Sequence, residues 1–162
     1  MTKQLRIQGS EVREKEKLQY IPIYRVQLVR EGSAKTSDKV IDNPDKAAEI
    51  IKSYIGDTDR ENFVVAMLDS KNKVIGINTV SVGSVNASIV HPREVLKPAI
   101  LANAAGIIIG HNHPSGVTTP SCEDLEVTKR INQACDIIGI TLLDHIVVSF
   151  EDYFSLKQEG ML

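Results

Sequence analysis

The stretch that decides the fold reads Gly110-His111-Asn112-His113-Pro114-Ser115-Gly116-Val117-Thr118-Thr119-Pro120-Ser121-Cys122-Glu123-Asp124. It follows an apolar run at residues 107–110, which is typical of a buried strand, and residues 111–120 are predicted to form a loop. His111 and His113 are two positions apart at the end of that strand. Side chains two apart in an extended chain point to the same side, so both imidazoles can reach one metal ion.

The rest of the stretch offers a third ligand. A loop rich in proline and glycine returns the chain, so that Asp124 can add a carboxylate from the first turn of a helix predicted over 122–138. Two histidines and one aspartate leave the fourth tetrahedral position for water, as in catalytic zinc sites. Ser121 and Asp124 also form the S-x-x-D pattern of a helix cap. The residues alone therefore leave two readings open, a metal site and an ordinary capped helix beside surface histidines.

Patterns along the remaining chain indicate a single mixed α/β or α+β domain. Pro44 at a first helical position and Gly56 beyond the last turn bound one helix, and Pro98 is expected to kink or restart another. Residues 70–72 suit a hairpin connection. We predict a polar arm over 1–19 and a domain over 20–162. Helices are predicted over 44–55, 92–103 and 122–138, and strands over 21–30, 61–69, 73–82, 84–90, 107–110 and 140–150.

Composition excludes several classes of protein. The 162 residues carry 19 Lys and Arg against 21 Asp and Glu, a formal charge of −2. This balance argues against binding nucleic acid by electrostatics alone and against a polybasic membrane anchor. The two cysteines, Cys122 and Cys135, are too few for a disulfide framework, and one shared helix would keep them apart. With no apolar stretch after the charged start, we expect a cytoplasmic protein that does not enter membranes.

The motif resembles a known signature. His111-x-His113, seven further residues and Ser121-x-x-Asp124 match the JAMM signature of the MPN (JAB) metalloprotease fold, and the longer string is similar to the RadC family. The resemblance implies a mixed β-sheet flanked by helices in one MPN/JAB-like, cytidine-deaminase-like domain. It covers about residues 40–160 and extends through Glu61-Asn62-Phe63, His91-Pro92-Arg93-Glu94, Thr128 and Leu143-Asp144-His145.

The resemblance also implies roles for particular residues. His111, His113 and Asp124 would bind zinc, and Glu61 would act as general base toward water activated by the metal. Ser121 would donate its hydroxyl to a developing oxyanion, unless it serves only as the helix cap.

Other candidate residues have simpler interpretations. Glu94 is a rival base, but a carboxylate in a first helical turn is favourable in any case. His145 is expected to support the site or the fold rather than bind metal. His91 is interpreted as a turn or surface residue. Cys122 and Asp124, two apart on a helix, diverge too far to share a metal, and Cys135 is interpreted as a core residue.

The chain departs from the family pattern in two ways. The longer RadC proteins have a helix-hairpin-helix DNA-binding region before this domain, and 1–19 offers no room for one. Val117 stands where the family usually has an acidic residue, but this position is not a ligand.

The resemblance predicts a zinc-dependent hydrolase of the JAMM type, acting on a peptide or an isopeptide-bearing protein. The alternative is a metal-binding or scaffold domain associated with DNA repair and without peptidase activity, although the charge does not support direct binding to nucleic acid. The arm over 1–19 and the edge strand containing Pro22 could also pair with a partner strand, including that of a second copy in a homodimer.

Overall fold

Three helices and five strands form within residues 20–36, 38–83 and 90–162, the part of the chain that the computed structural model describes. The helices are α1 (Pro44–Ile55), α2 (Pro92–Leu101) and α3 (Cys122–Ile138), and the strands are β1 (Asn62–Leu68), β2 (Val74–Val82), β3 (Gly106–Asn112), β4 (Thr141–Val148) and β5 (Tyr153–Ser155). Helices α2 and α3 each connect two strands of one sheet.

The strands form one mixed sheet in the order β2-β1-β3-β4-β5. The pairs β1–β2, β1–β3 and β4–β5 are antiparallel, whereas β3 and β4 are parallel. A parallel pair needs a crossover connection, and α3 supplies it. The prediction of a mixed sheet flanked by helices in one α/β domain is confirmed.

Both faces of the central strands are covered by helices. Because successive side chains of a strand point to opposite faces, β1 sends Phe63, Val65 and Met67 into one core and its other apolar residues into a second. The first core includes side chains from α2 and α3, and the second includes side chains from α1. All seven residues of β3 are buried. This double burial explains why its apolar stretch is continuous rather than alternating.

Local sequence signals set the ends of α1 and α3 as predicted. Asn43 caps α1 by accepting a hydrogen bond from the main-chain N–H of Lys46, and Gly56 follows the last turn with a φ of 66°. Gly139 ends α3 in the left-handed conformation that glycine adopts readily. Helix α2 neither restarts at Pro98 nor extends to residue 103, since it runs through Pro98 and ends at Leu101.

The strand predicted over 21–30 is wrong. None of these residues belongs to a strand, and their apolar side chains are exposed, with Ile23 98% and Tyr24 82% accessible. Alternation of apolar and polar residues indicates which face of a strand would be buried. It does not indicate which other strand would form the main-chain hydrogen bonds that a strand needs. Within the described residues, the sheet has β2 and β5 at its edges, and neither pairs with this segment.

Other strand predictions need smaller corrections or stay untested. Strand β3 continues through His111 and Asn112, which were predicted to begin a loop, and the three-residue β5 was not predicted. The hairpin between β1 and β2 is confirmed, with Asn72 in its turn at a φ of 56°. The predictions for 1–19 and for the strand 84–90 lie outside the described residues, apart from residue 90. The domain boundary near residue 20 therefore stays a prediction.

None of the helices in the described part combines the length and the apolar character that crossing a bilayer requires.

Gly110 allows α1 to approach β3 closely. A Cβ at this position would lie 2.6 Å from Ile51 Cδ1 and 3.1 Å from the main-chain oxygen of Ile146. We expect Gly110→Ala to lower the free energy of unfolding by about 1–3 kcal/mol, the usual cost of overpacking. Urea denaturation measures this change. The matched control is Gly32→Ala, because a Cβ there meets no atom within 4 Å. Equal stability of the two variants would contradict the close contact.

Candidate metal centre

The two histidines of the motif lie where β3 ends. His111 faces the same side of the sheet as Ile107 and Ile109, which is the side covered by α3. Its imidazole is fully buried and stacks on Phe63 of β1, with the ring centroids 5.9 Å apart and the planes 13° apart. His113 follows just beyond the strand, and its side chain retains 14% exposure. One ligand position is therefore sealed inside the protein, and the next borders solvent.

Helix α3 brings Asp124 to the histidines from the opposite direction. Ser121 Oγ accepts a hydrogen bond from the main-chain N–H of Asp124 at 3.1 Å and donates to Asp124 Oδ2 at 2.7 Å. The main-chain N–H of Ser121 also donates to Oδ2, at 2.8 Å. This capping box fixes the orientation of the carboxylate, which is 2% exposed. The interpretation of Ser121 and Asp124 as a helix cap is thus correct. The same hydrogen bonds orient the Asp124 carboxylate toward the histidines.

Three potential ligand atoms converge at this point. His111 Nε2 lies 3.0 Å from His113 Nε2 and 3.2 Å from Asp124 Oδ1. His113 Nε2 lies 3.6 Å from Asp124 Oδ2. The three residues each offer one atom within 4.8 Å of the others, so the group could hold a metal ion.

The chemistry of these atoms fits a metal ion. His113 Nδ1 lies 2.6 Å from the main-chain oxygen of Val117, and because a carbonyl only accepts, this nitrogen carries the proton. In the neutral ring, Nε2 of His113 then presents a lone pair toward His111 and the Asp124 carboxylate. A cation placed among two imidazole nitrogens and a carboxylate satisfies all three, and these ligand types suit zinc.

The charges around the centre reinforce one another. Burial favours the neutral form of Asp124, but hydrogen bonds with His111, His113 and Ser121 outweigh it and hold the pKa of this carboxyl well below its usual range. The hydrogen bond to Asp124 raises the pKa of His113, against the opposing effect of burial, and the charge of Glu61 adds to the increase. The centre therefore presents a carboxylate that stays ionised and attracts positive charge.

A buried series of hydrogen-bonding side chains contacts His111 at Nδ1, the ring nitrogen that faces away from Asp124. His111 Nδ1 lies 2.9 Å from His145 Nε2 on β4, and His145 Nδ1 lies 2.6 Å from Thr128 Oγ1 on α3. Burial lowers the pKa of the fully enclosed His145 well below its usual value. His145 contacts the opposite nitrogen of His111 from the one that faces Asp124. This placement agrees with the prediction that His145 supports the site rather than binding metal.

Glu61 immediately precedes β1, the strand that pairs with β3. Asn112 Oδ1 accepts a hydrogen bond from the main-chain N–H of Asn62 at 2.7 Å, and Asn112 Nδ2 donates to the main-chain oxygen of Arg60 at 2.9 Å. Asn112 thus holds the residues on both sides of Glu61. The charge of Glu61 also contributes to the raised pKa of His113.

The remaining candidates have other surroundings. Glu94 is 41% exposed and pairs with Lys97 at 2.6 Å. His91 is exposed and caps α2, since its Nδ1 accepts a hydrogen bond from the main-chain N–H of Arg93. Cys122 is exposed at the start of α3. Burial raises the pKa of the Cys135 thiol to about 11, as befits a core residue. None of the four belongs to the group that could hold a metal ion.

An open groove of about 510 Å³ adjoins the exposed side of His113. Its walls come from the end of α1, the turn before β1 and the segments that follow β3 and β4. Asn112, His113 and the 83% exposed Phe150 are among the residues that line it. The groove therefore borders the candidate centre at His113.

Sequence reasoning did not assign the contacts of Asn112 and Thr128. The signal for Asn112 was its place between the two histidines, because alternation along a strand sends its side chain away from theirs. Thr128 lies one helical turn after Asp124, a position from which a hydroxyl reaches the main-chain oxygen of Asp124.

Comparisons with known proteins agree with this architecture. The family model described as RadC-like JAB domain matches residues 41–161. Relatives named UPF0758 protein occur in Rubrobacter xylanophilus, 52% identical over 123 residues, and in Desulfitobacterium hafniense, 47% identical over 123 residues. Each of these matches covers 76% of this chain and 54% of the relative. A UPF0758 protein of Clostridium acetobutylicum is 51% identical over 122 residues, which are 75% of this chain and 53% of that protein.

The chain thus spans about half the length of the curated relatives it matches. The match over residues 41–161 includes the whole sheet, all three helices and every residue of the candidate centre. This chain belongs to the RadC family.

Proposed function

We propose that this protein is a zinc-dependent hydrolase that cleaves an amide or isopeptide bond in a peptide or protein substrate. The observation that carries the proposal is the convergence of His111, His113 and Asp124 on one point. Three protein ligands leave a fourth zinc position open, which is the arrangement of catalytic rather than structural sites. The partial exposure of His113 supports an open position next to solvent.

A zinc ion held by these residues would lower the pKa of water to about 7 and polarise a carbonyl oxygen. The carboxylate of Glu61 would orient the attacking water and take its proton as the oxygen adds to the carbonyl carbon. The same carboxylate would then deliver the proton to the leaving nitrogen as the carbon–nitrogen bond breaks. The hydrogen bonds of Asn112 to both neighbours of Glu61 support this role, because they hold the main chain of the base in place.

The hydroxyl of Ser121 has a defined position, but its proton already forms a hydrogen bond. Its Oγ donates to Asp124 Oδ2, so it must turn from this carboxylate before it can donate to an oxyanion. Since the main-chain N–H of Ser121 also binds Oδ2, the carboxylate keeps one partner when the hydroxyl moves. We therefore propose Ser121 as a donor to the oxyanion in addition to its role as the cap.

The groove beside His113 supports a substrate of extended shape. It runs along the end of α1 and past Phe150, with charged side chains of both signs on its walls. A stretch of main chain can lie there with its scissile carbonyl near His113, while apolar and polar side chains contact the walls.

Substitution of Glu61 tests its proposed role as the general base. We expect Glu61→Gln to retain zinc and lose at least about a hundredfold in turnover, because an amide cannot take the proton from water. The assay is mass spectrometry of cleavage products from a defined peptide mixture and from isopeptide-linked peptides, with zinc content measured in parallel. Glu94→Gln is the control, since it makes the same change at a surface ion pair. Equal turnover of the two variants would exclude Glu61 as the base, and an absence of zinc in wild-type protein would exclude the proposed centre.

Zinc affinity should depend on pH through His113. The raised pKa of His113 means that this ring gains a proton already above its usual value of 6.5, and zinc must displace that proton. We expect the apparent affinity to fall as pH is lowered from about 8 to about 6, approaching tenfold per unit below the pKa for one displaced proton. Competition with a chromophoric chelator measures it. His91→Asn, which keeps a capping side chain outside the centre, should show the same slope, and a flat profile in wild-type protein would contradict displacement of a proton.

A further inference from the structure

A buried chain of hydrogen bonds joins His111 to the first turn of α3, and the proposed catalysis does not use it. It runs from His111 Nδ1 to His145 Nε2 and from His145 Nδ1 to Thr128 Oγ1. Thr128 Oγ1 then donates to the main-chain oxygen of Asp124 at 2.6 Å. Both imidazoles are fully buried and Thr128 is 3% exposed. Protein groups rather than bulk water therefore decide where each proton of the chain lies.

With both rings neutral, two arrangements of protons satisfy the contact between the two imidazoles and the contact between His145 and Thr128. A neutral imidazole carries one N–H, and a hydroxyl has one proton to donate. In the first arrangement, Thr128 donates to Asp124 O, His145 Nδ1–H donates to Thr128, and His111 Nδ1–H donates to His145. In the second, every proton is shifted, so that Thr128 donates to His145, His145 donates to His111, and His111 carries its proton on Nε2.

The two arrangements differ in what His111 presents to Asp124 and His113. In the first, His111 Nε2 has a free lone pair and can bind a metal ion. In the second, Nε2–H can donate to Asp124 Oδ1, 3.2 Å away, and blocks that bond. The numbers of protons are equal, so the partner at the far end of the chain can select between the two arrangements without a change of net charge.

The partner at the far end is a main-chain carbonyl, which can only accept. Thr128 lies four residues after Asp124, and in a helix this spacing lets its hydroxyl donate back to that carbonyl. The hydroxyl proton of Thr128 is then used in this hydrogen bond, so Thr128 Oγ1 can only accept a hydrogen bond from His145. We propose that Thr128 and His145 are positioning residues that hold His111 in the tautomer with an unprotonated Nε2, ready for a metal ion.

This assignment gives Asp124 two functions that act on the same metal position. Its carboxylate is a ligand candidate, and its main-chain oxygen anchors the proton order that prepares His111. The inference rests on the proposed metal centre but not on hydrolysis. A purely structural role for Thr128 would predict that only folding stability depends on its hydroxyl.

Two substitutions of Thr128 in the full chain distinguish these roles. Thr128→Val keeps the shape and removes the hydroxyl, whereas Thr128→Ser keeps the hydroxyl. Without the hydroxyl, a proton on His145 Nδ1 has no acceptor, so it moves to Nε2 and His111 takes the blocked form. Competition with a chromophoric chelator should show zinc binding weakened at least about tenfold in Thr128→Val and changed less than about twofold in Thr128→Ser. Equal zinc affinity of the two variants would overturn the inference.

A second measurement does not depend on zinc or on the variants. Long-range ¹H–¹⁵N correlation spectra of zinc-free protein with ¹⁵N-labelled histidine report the tautomer of each ring. We expect His145 to carry its proton on Nδ1 in wild-type protein and in Thr128→Ser, and on Nε2 in Thr128→Val. A wild-type His145 protonated on Nε2 would overturn the proposal even if Thr128→Val failed to fold. Zinc binding and tautomers as expected, without hydrolysis of any substrate, would contradict the proposed function alone.

Discussion

Burial of β3 on both faces is the constraint from which the rest of the structure follows. Helix α1 presses on one face so closely that Gly110 leaves no room for a Cβ, and α3 covers the other face, where His111 lies. A polar side chain in such a place costs several kcal/mol unless it finds partners. His111 Nδ1 contacts His145, and His111 Nε2 faces His113 and Asp124. The end of this strand therefore concentrates the polar groups of the domain.

The crossover from β3 to β4 determines which groups meet there. Helix α3 must pass back across the sheet to keep β3 and β4 parallel, and this path brings its first turn beside the end of β3. The capping box then serves two purposes, because the carboxylate that caps the helix also faces His111 and His113. The favourable interaction of this carboxylate with the helix N-terminus adds to its stabilisation there. Stability and the candidate chemistry are thus built on the same side chain.

The sequence was most informative where structure is set by neighbours along the chain. The cap at Ser121, the terminal Gly139 and the hairpin at 70–72 all depend on residues a few positions apart, and all were predictable. The strand predicted over 21–30 failed because a strand is defined by its pairing, and its alternating pattern contains no information about a partner. The same lack of pairing information hid the extension of β3 through Asn112, whose main chain pairs with Val148.

By itself the sequence determined the family, the broad order of helices and strands, and the set of residues that could bind a metal. It could do so because these residues lie in one continuous stretch that runs from the end of a strand through a loop to the start of a helix. In such a stretch, the spacing along the chain indicates which side chains can meet. The residues are His111, His113, Ser121 and Asp124. Only the tertiary structure decided which buried side chains form hydrogen bonds with those residues. Thr128 and His145 are 17 positions apart and His145 and His111 are 34 apart, on three different elements. Their contacts depend on how α3 and β4 pack against β3, and packing across a core leaves no periodic signal in the chain.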